Sequence, residues 1–159
     1  MSEMLLDNSG TAISILSERV HRWAEYFNAL LNQPVRNSYA VTDGTSNNES
    51  YDCNVEVPTT VEIVEVIHTL NNGKAAGEDG IPAEFFKCCP DIMATWLHRI
   101  ITVIWMSEKI PGDWSDSLLI PVFKKGDKKL CSNYRGISLI DIAAKIFAIL
   151  LLRRFNTER

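Results

Sequence analysis

A chain of 159 residues has room for one domain, or for one domain with an extension. Its 46% hydrophobic and 23% charged content allows a buried core, and its formal net charge is −4. No apolar run approaches the ~20 residues of a membrane helix, and the opening MSEMLLDNSG has no basic stretch leading into an apolar one, so a signal peptide and a membrane partner are not expected.

Residues 12–33 are expected to form the first helix. Ile13, Leu16, Val20, Trp23, Phe27, Leu30 and Leu31 recur at steps of three and four and so share a face, which predicts core packing for Trp23 and Phe27. Pro34 ends the pattern. Residues 36–57 are rich in Ser, Asn and Thr and cannot bury much apolar area, which marks a linker and the best candidate boundary.

A second helix starts at PTTVEIVEVIHTL, where Thr59 and Glu62 have capping-box spacing and Ile63, Val64, Ile67 and Leu70 form the apolar face. Asn71, Asn72 and Gly73 stop it. His68 is expected on its surface. Residues 73–87, GKAAGEDGIPAEFFK, begin with three glycines in eight residues, a tight and irregular backbone without the GK[ST] of a Walker loop. Its adjacent acids, Glu78 and Asp79, read as solvated loop residues. Pro82 suits the first position of a short helix through Lys87.

Four cysteines occur, at 53, 88, 89 and 131, none in a C-x-x-C, and the three histidines are scattered, so no metal site is expected and the thiols read as reduced. A third helix is predicted from Asp91, as cap, to Ser107, with Trp96 and Trp105 both in its buried face.

After residue 114 the pattern changes. LLIPVF (118–123) is short, apolar and β-prone, with Pro121 restricting it to an edge or a bulge. Gly126 and Asp127 make a turn, and NYRGISL (133–139) returns as a second, irregular strand. A final helix covers DIAAKIFAILLLRRF, with Asp141 as its N-cap and with Arg153 and Arg154 as charges that suit its C-terminal dipole. From Ser117 onward there are nine basic and three acidic residues, a net charge of +6, which leaves −10 on the rest. An acidic front and a basic back suggest that the back alone faces a polyanion, with Lys124, Lys125, Lys128 and Lys129 on the tip of a hairpin.

GKAAGEDGIPAE, then W-x4-LIPVFKKGD, then C-x-NYRGISL, then a helix ending LLRRF, all in this order, resemble the N-terminal reverse-transcriptase region of non-LTR (LINE-like) retrotransposons. The likeness covers about residues 58–159, and RWAEYFNALLN resembles the helix that precedes this region. It implies an α+β fold, mostly helical with a basic β-hairpin: the fingers and the start of the palm of a partial right-hand polymerase. Residues 1–57 would be an N-terminal helix and polar linker, and 58–159 the start of the polymerase domain.

Carried over position by position, the resemblance implies that Lys125, with Lys124 as its rival, and Arg135 grip the triphosphate of an incoming dNTP. A guanidinium can hold phosphate oxygens in pairs and a lysine is a mobile point charge. Lys128, Lys129 and Tyr134 would meet the RNA template or DNA primer, with Tyr134 and Phe123 free either to stack on bases or to pack within the hairpin. Two positions depart from the pattern: Gly136 and Glu78 stand where proline is common, and Gly136 is expected to loosen the backbone beside Arg135.

Polymerase chemistry also needs two Mg²⁺ ions on carboxylates, from a D-x-x-x-A-F type motif and an Asp-Asp turn. Neither motif occurs in the sequence. The expectation is a fragment without a metal cofactor of its own and inactive alone, its palm lying beyond Arg159, in the cytoplasm, the nucleus or both. The alternatives are an RNA-binding module and a nonfunctional helical remnant. The oligomeric state is not indicated.

Overall fold

The structure, a computed structural model, describes residues 4–33 and 54–156. Most of the 36–57 linker lies outside the described residues. The fold is α+β and mostly helical, with two small two-stranded sheets among the described residues. No helix among those residues is long and apolar enough to cross a membrane. The chain divides into two compact units: residues 119–137 group with residues 1–48, and residues 49–118 with 138–159.

The first unit opens with a hairpin of β1 (Leu5–Leu6) and β2 (Ala12–Ile13), Leu5 opposite Ile13. Its turn is organised by Asp7, whose Oδ1 accepts the Ser9 and Thr11 backbone N–H groups, each at 2.8 Å, and the Ser9 hydroxyl at 2.7 Å. These bonds favour the charged form and hold the Asp7 carboxyl below its ordinary range. The predicted helix therefore starts later than residue 12. Helix α1 runs Leu16–Leu31, because Ile13 is committed to a strand.

Only part of the apolar face of α1 is used. Trp23 and Phe27 are buried, with ring centroids 5.7 Å apart, in a cluster with Leu5 and Cys131. Val20 and Leu31 on the same helix are more than half exposed.

The second unit is helical. Helix α2 (Thr60–Thr69) begins with the predicted capping box: Thr59 Oγ1 accepts the Glu62 N–H at 3.3 Å, and Glu62 Oε2 accepts the Thr59 N–H at 2.6 Å. Its end is closed from outside. Lys87 Nζ donates to the Leu70 carbonyl at 3.1 Å and to Asn72 at 2.6 Å, and Glu84 accepts the Gly73 N–H at 2.5 Å. Both side chains lie on α3 (Ala83–Cys88). Pro82 stands one place before this helix, in extended conformation, rather than at its first position.

Helix α4 (Pro90–Ser107) takes Pro90 at its first turn, so Asp91 lies inside the helix instead of capping it. Its inner face buries Ala94, Leu97, Ile101 and Ile104 against Ile63, Val66 and Ile67 of α2 and against Ile142, Ile146, Phe147 and Leu150 of α6 (Ile142–Asn156). Each large aliphatic side chain removed from water contributes about 1.5–3 kcal/mol, and this cluster is the main stabilising element of the unit. A short α5 (Gly112–Ser115) brings Trp114 against Phe147, with centroids 5.8 Å apart.

Two expectations are corrected here. Trp96 is not core: it is 59% exposed, with the Arg99 guanidinium 5.0 Å over its ring, because the buried stripe of α4 runs through Ala94, Leu97, Ile101 and Ile104. Arg154 is not a solvated terminal charge but is only 8% exposed. Its Nη2 donates to both oxygens of Glu62, at 3.0 and 3.2 Å, and its Nη1 to the carbonyls of Asn54 and Glu56. The residue before it, Arg153, pairs with Glu65 at 3.6 Å.

Candidate functional site

The basic residues sit where the sequence pattern puts them. Strands β3 (Leu118–Phe123) and β4 (Tyr134–Leu139) pair as a hairpin, joined by the loop 124–133 with a 3-10 turn at Cys131–Asn133. The order of this loop comes from groups other than its charges. Lys124 N–H donates to the Asn133 carbonyl at 2.9 Å and closes the neck. The Asp127 carbonyl accepts the Asn133 side-chain amide at 2.8 Å and the Leu130 N–H at 3.3 Å, while Asp127 Oδ1 accepts the Lys129 N–H at 2.9 Å. Gly126 has φ +90°, and a Cβ there would meet the Asn133 side-chain nitrogen at 2.8 Å, so both backbone conformation and space call for glycine.

The hairpin is anchored from two sides. The Leu6 N–H of β1 donates to the Lys129 carbonyl at 2.9 Å, and the Tyr134 hydroxyl donates to the Lys128 carbonyl at 2.9 Å. Backbone groups are thus engaged inside the unit, and the side chains of Lys124, Lys125, Lys129 and Arg135 are exposed and make no ion pair among the described residues. Lys128 lies 5.5 Å over the Phe123 ring, a contact worth about 0.5–1 kcal/mol at an exposed site. From 124 to 135 there are five basic residues and one acid, and the carboxylate of that acid is already bonded to a backbone N–H.

The ring of Tyr134 is packed: Trp23 lies 4.8 Å away edge-on, and Phe123 5.3 Å away. Of the two readings open for Tyr134 and Phe123, the structure displays packing within the hairpin. Cys131 is buried in the same cluster, and burial pushes its thiol above the ordinary range.

Gly136, expected to loosen the backbone beside Arg135, is a point of close approach. A Cβ at this position would lie 2.9 Å from Leu119 Cδ1 and 2.9 Å from Phe27 Cε1, so the glycine accepts two side chains against its α-carbon. Gly136→Ala is expected to destabilise this unit by about 1–3 kcal/mol, because the stiff Phe27 ring must move; a urea midpoint followed by tryptophan fluorescence reads it. Sequence reasoning placed Asp127 in the turn but missed the anchor Asn133 and the β1 edge. Asp127 was legible as a turn former, while Asn133 and Leu6 carry no local signal of a tertiary bond.

The glycine-rich segment is a docking loop. Asp79 N–H donates to Asp141 Oδ1 at 3.2 Å, and Asp79 Oδ1 accepts the Ile81 N–H at 2.9 Å. Asp141 occupies the position before α6, its carbonyl accepting the Lys145 N–H at 2.9 Å. Glu78, Asp79, Asp113, Asp116 and Asp141 line one open concavity of about 330 Å³. Among the described residues no group of three His, Cys, Asp or Glu side chains is placed to hold a metal ion.

No family model matches the chain. It is similar to proteins of mobile elements. It is 30% identical over 95 residues, 59% of this chain, to the uncharacterized 149 kDa protein of transposon TX1 from Xenopus laevis. It is 28% identical over 108 residues, 62% of this chain, to a 115 kDa protein in the type-1 retrotransposable element R1DM of Drosophila melanogaster. The chain spans only 7% and 10% of the length of these relatives.

Proposed function

We propose that this chain is the fingers portion of an RNA-directed DNA polymerase of a non-LTR retrotransposon, and that its hairpin tip meets phosphate. The observation that carries the reading is the exposed cationic tip of a hairpin ordered by bonds other than its own charges. Four lysines and an arginine repel one another and gain nothing from one another's presence. A polyanionic ligand is the partner that turns this cost into affinity. The likeness to retrotransposable-element proteins, and the order of the motifs around KKGD and NYRG, support one reading of that polyanion: an incoming dNTP held by Lys125 (or Lys124) and Arg135, beside RNA template or DNA primer held by Lys128 and Lys129. Tyr134 contributes by stiffening the tip rather than by offering a free ring.

Two measurements test the proposal. Fluorescence anisotropy of a labelled single-stranded RNA should give binding whose logarithm falls with the logarithm of salt, with a slope of about −3 for four neutralised phosphates. Lys128→Ala with Lys129→Ala should flatten that slope by about 1.4. A salt-independent signal would defeat the nucleic-acid contact. In a full-length active relative, alanine at the position matching Lys125 or Arg135 should weaken nucleotide affinity about 10- to 100-fold, the loss of one charge-assisted bond, with an unchanged unfolding midpoint. Nucleotide affinity that survives both changes, together with a retained salt slope, would leave an RNA-binding module instead.

A further inference from the structure

Adjacent cysteines stand at the joint between two helices. Cys88 is the last residue of α3 and Cys89 separates it from α4, with φ −142° and ψ 69°, outside the helical range. Both thiols are free and exposed, whereas Cys131 is buried. Cys88 Sγ donates to the Phe85 carbonyl at 3.0 Å, which holds that sulfur beside the helix end. The neighbouring Cys88 side chain pushes the Cys89 thiol above its ordinary range. Neither residue belongs to the basic hairpin or to the acidic concavity.

We propose that Cys88 and Cys89 form an oxidisable vicinal dithiol that closes to a disulfide under peroxide and reopens under a thiol reductant. The Cys88 thiol gives its proton to solvent and the sulfur, as thiolate, attacks one peroxide oxygen; the O–O bond breaks, a sulfenic acid forms, and the leaving hydroxide takes a proton back from solvent to become water. The Cys89 sulfur then attacks the sulfenic sulfur, the S–O bond breaks, and a second water leaves with the remaining thiol proton. Peroxide is reduced by two electrons and the thiol pair is oxidised by two.

Consecutive α-carbons lie about 3.8 Å apart across a trans peptide, closer than the usual ~4.4–6.8 Å of a disulfide, so the product is strained. Strained disulfides are the reducible ones, and the pair stays open in a reducing compartment until an oxidant arrives. The strain falls on a joint whose neighbours do structural duty. Helix α3 carries Glu84 and Lys87, which close the end of α2 through Gly73, Leu70 and Asn72. Closing the disulfide re-aims α3 and loosens that cap.

The test treats the full chain with dilute hydrogen peroxide, alkylates it under denaturing conditions and maps the peptides by mass spectrometry. The expected product is a single peptide containing both residues, lighter by two hydrogens, unalkylated, and restored by dithiothreitol. Cys88→Ser and Cys89→Ser should each abolish that mass loss, and hydrogen exchange at the Gly73 amide should become faster in the oxidised wild type alone. Full alkylation of both residues after peroxide, sulfinic acid on either one, or a disulfide to Cys53 or to a second molecule would overturn the proposal. Unchanged exchange at Gly73 would overturn its coupling to α2.

Discussion

Gly77→Ala is expected to unfold the helical unit, or to destabilise it by about 3 kcal/mol or more. The reason is space. A Cβ on Gly77 would lie 2.5 Å from the Asp141 nitrogen and 2.6 Å from the Ile140 carbonyl carbon, and would also run into the Asp141 carboxylate. The first two are backbone atoms at the entry to α6 and cannot swing aside as a long side chain can. Relief would separate the GEDG loop from α6 and break the Asp79–Asp141 bond. Gly80→Ala is the control. Gly80 has φ +69° but open space around it, so alanine there costs only the left-handed penalty of about 1–2 kcal/mol. Urea titrations followed by circular dichroism compare the two. Equal losses would mean that the close approach at Gly77 is not what holds the loop.

Arg154→Ala is expected to cost about 3 kcal/mol, the lower end for breaking a buried ion pair, since Glu62 keeps some contact with water. The change would leave Glu62 without its bidentate partner and the Asn54 and Glu56 carbonyls without a donor. It would also remove a cation 5.3 Å from the Trp105 ring, whose Nε1 donates to the Val55 carbonyl at 2.8 Å. Residues 54–56 are therefore held to the ends of α4 and α6 by one guanidinium and one indole. Arg154→Lys should recover only part of the loss, because an ammonium cannot bridge a carboxylate and two carbonyls in one plane.

The same pair sets an acid dependence. Partial burial pushes the Glu62 carboxyl up, but the Thr59 backbone bond and Arg154 outweigh it, and the group lies below its ordinary value of 4.5. A depressed carboxyl contributes stability that is fully present above the unfolded value and is lost as pH falls through the folded one. Wild-type chain should therefore lose stability below about pH 4.5 more steeply than Arg154→Ala, whose Glu62 retains only its capping bonds. Parallel pH–stability curves for the two proteins would show that Arg154 does not act through Glu62.

Much of this was written locally. The Thr59–Glu62 capping box, the Val- and Ile-rich face of α2, the hairpin around Gly126 and Asp127, and the exposure of its lysines follow from spacing, from turn chemistry and from the cost of burying charge. These are properties of a few consecutive residues, and no distant partner is needed to decide them. Helix α1 starts later than the helical period of Ile13 with Leu16 predicts, because Ile13 pairs with Leu5 in a strand, a partner the period does not register.

What the tertiary structure alone decided concerns partners far apart in the chain. Trp96 and Trp105 lie on one helix with similar sequence surroundings, and only the packing of α2 and α6 against α4 leaves Trp96 outside. Arg154 resembled any terminal arginine until a carboxylate 92 residues earlier met it. Gly77 read only as part of a tight, irregular loop and Gly136 as a loosening of the strand, yet at both another part of the chain presses against the α-carbon. Sequence patterns report a residue's preference for water and for backbone angles. Close approach and charge pairing depend on which atoms folding brings from elsewhere, and that is settled only when the core forms.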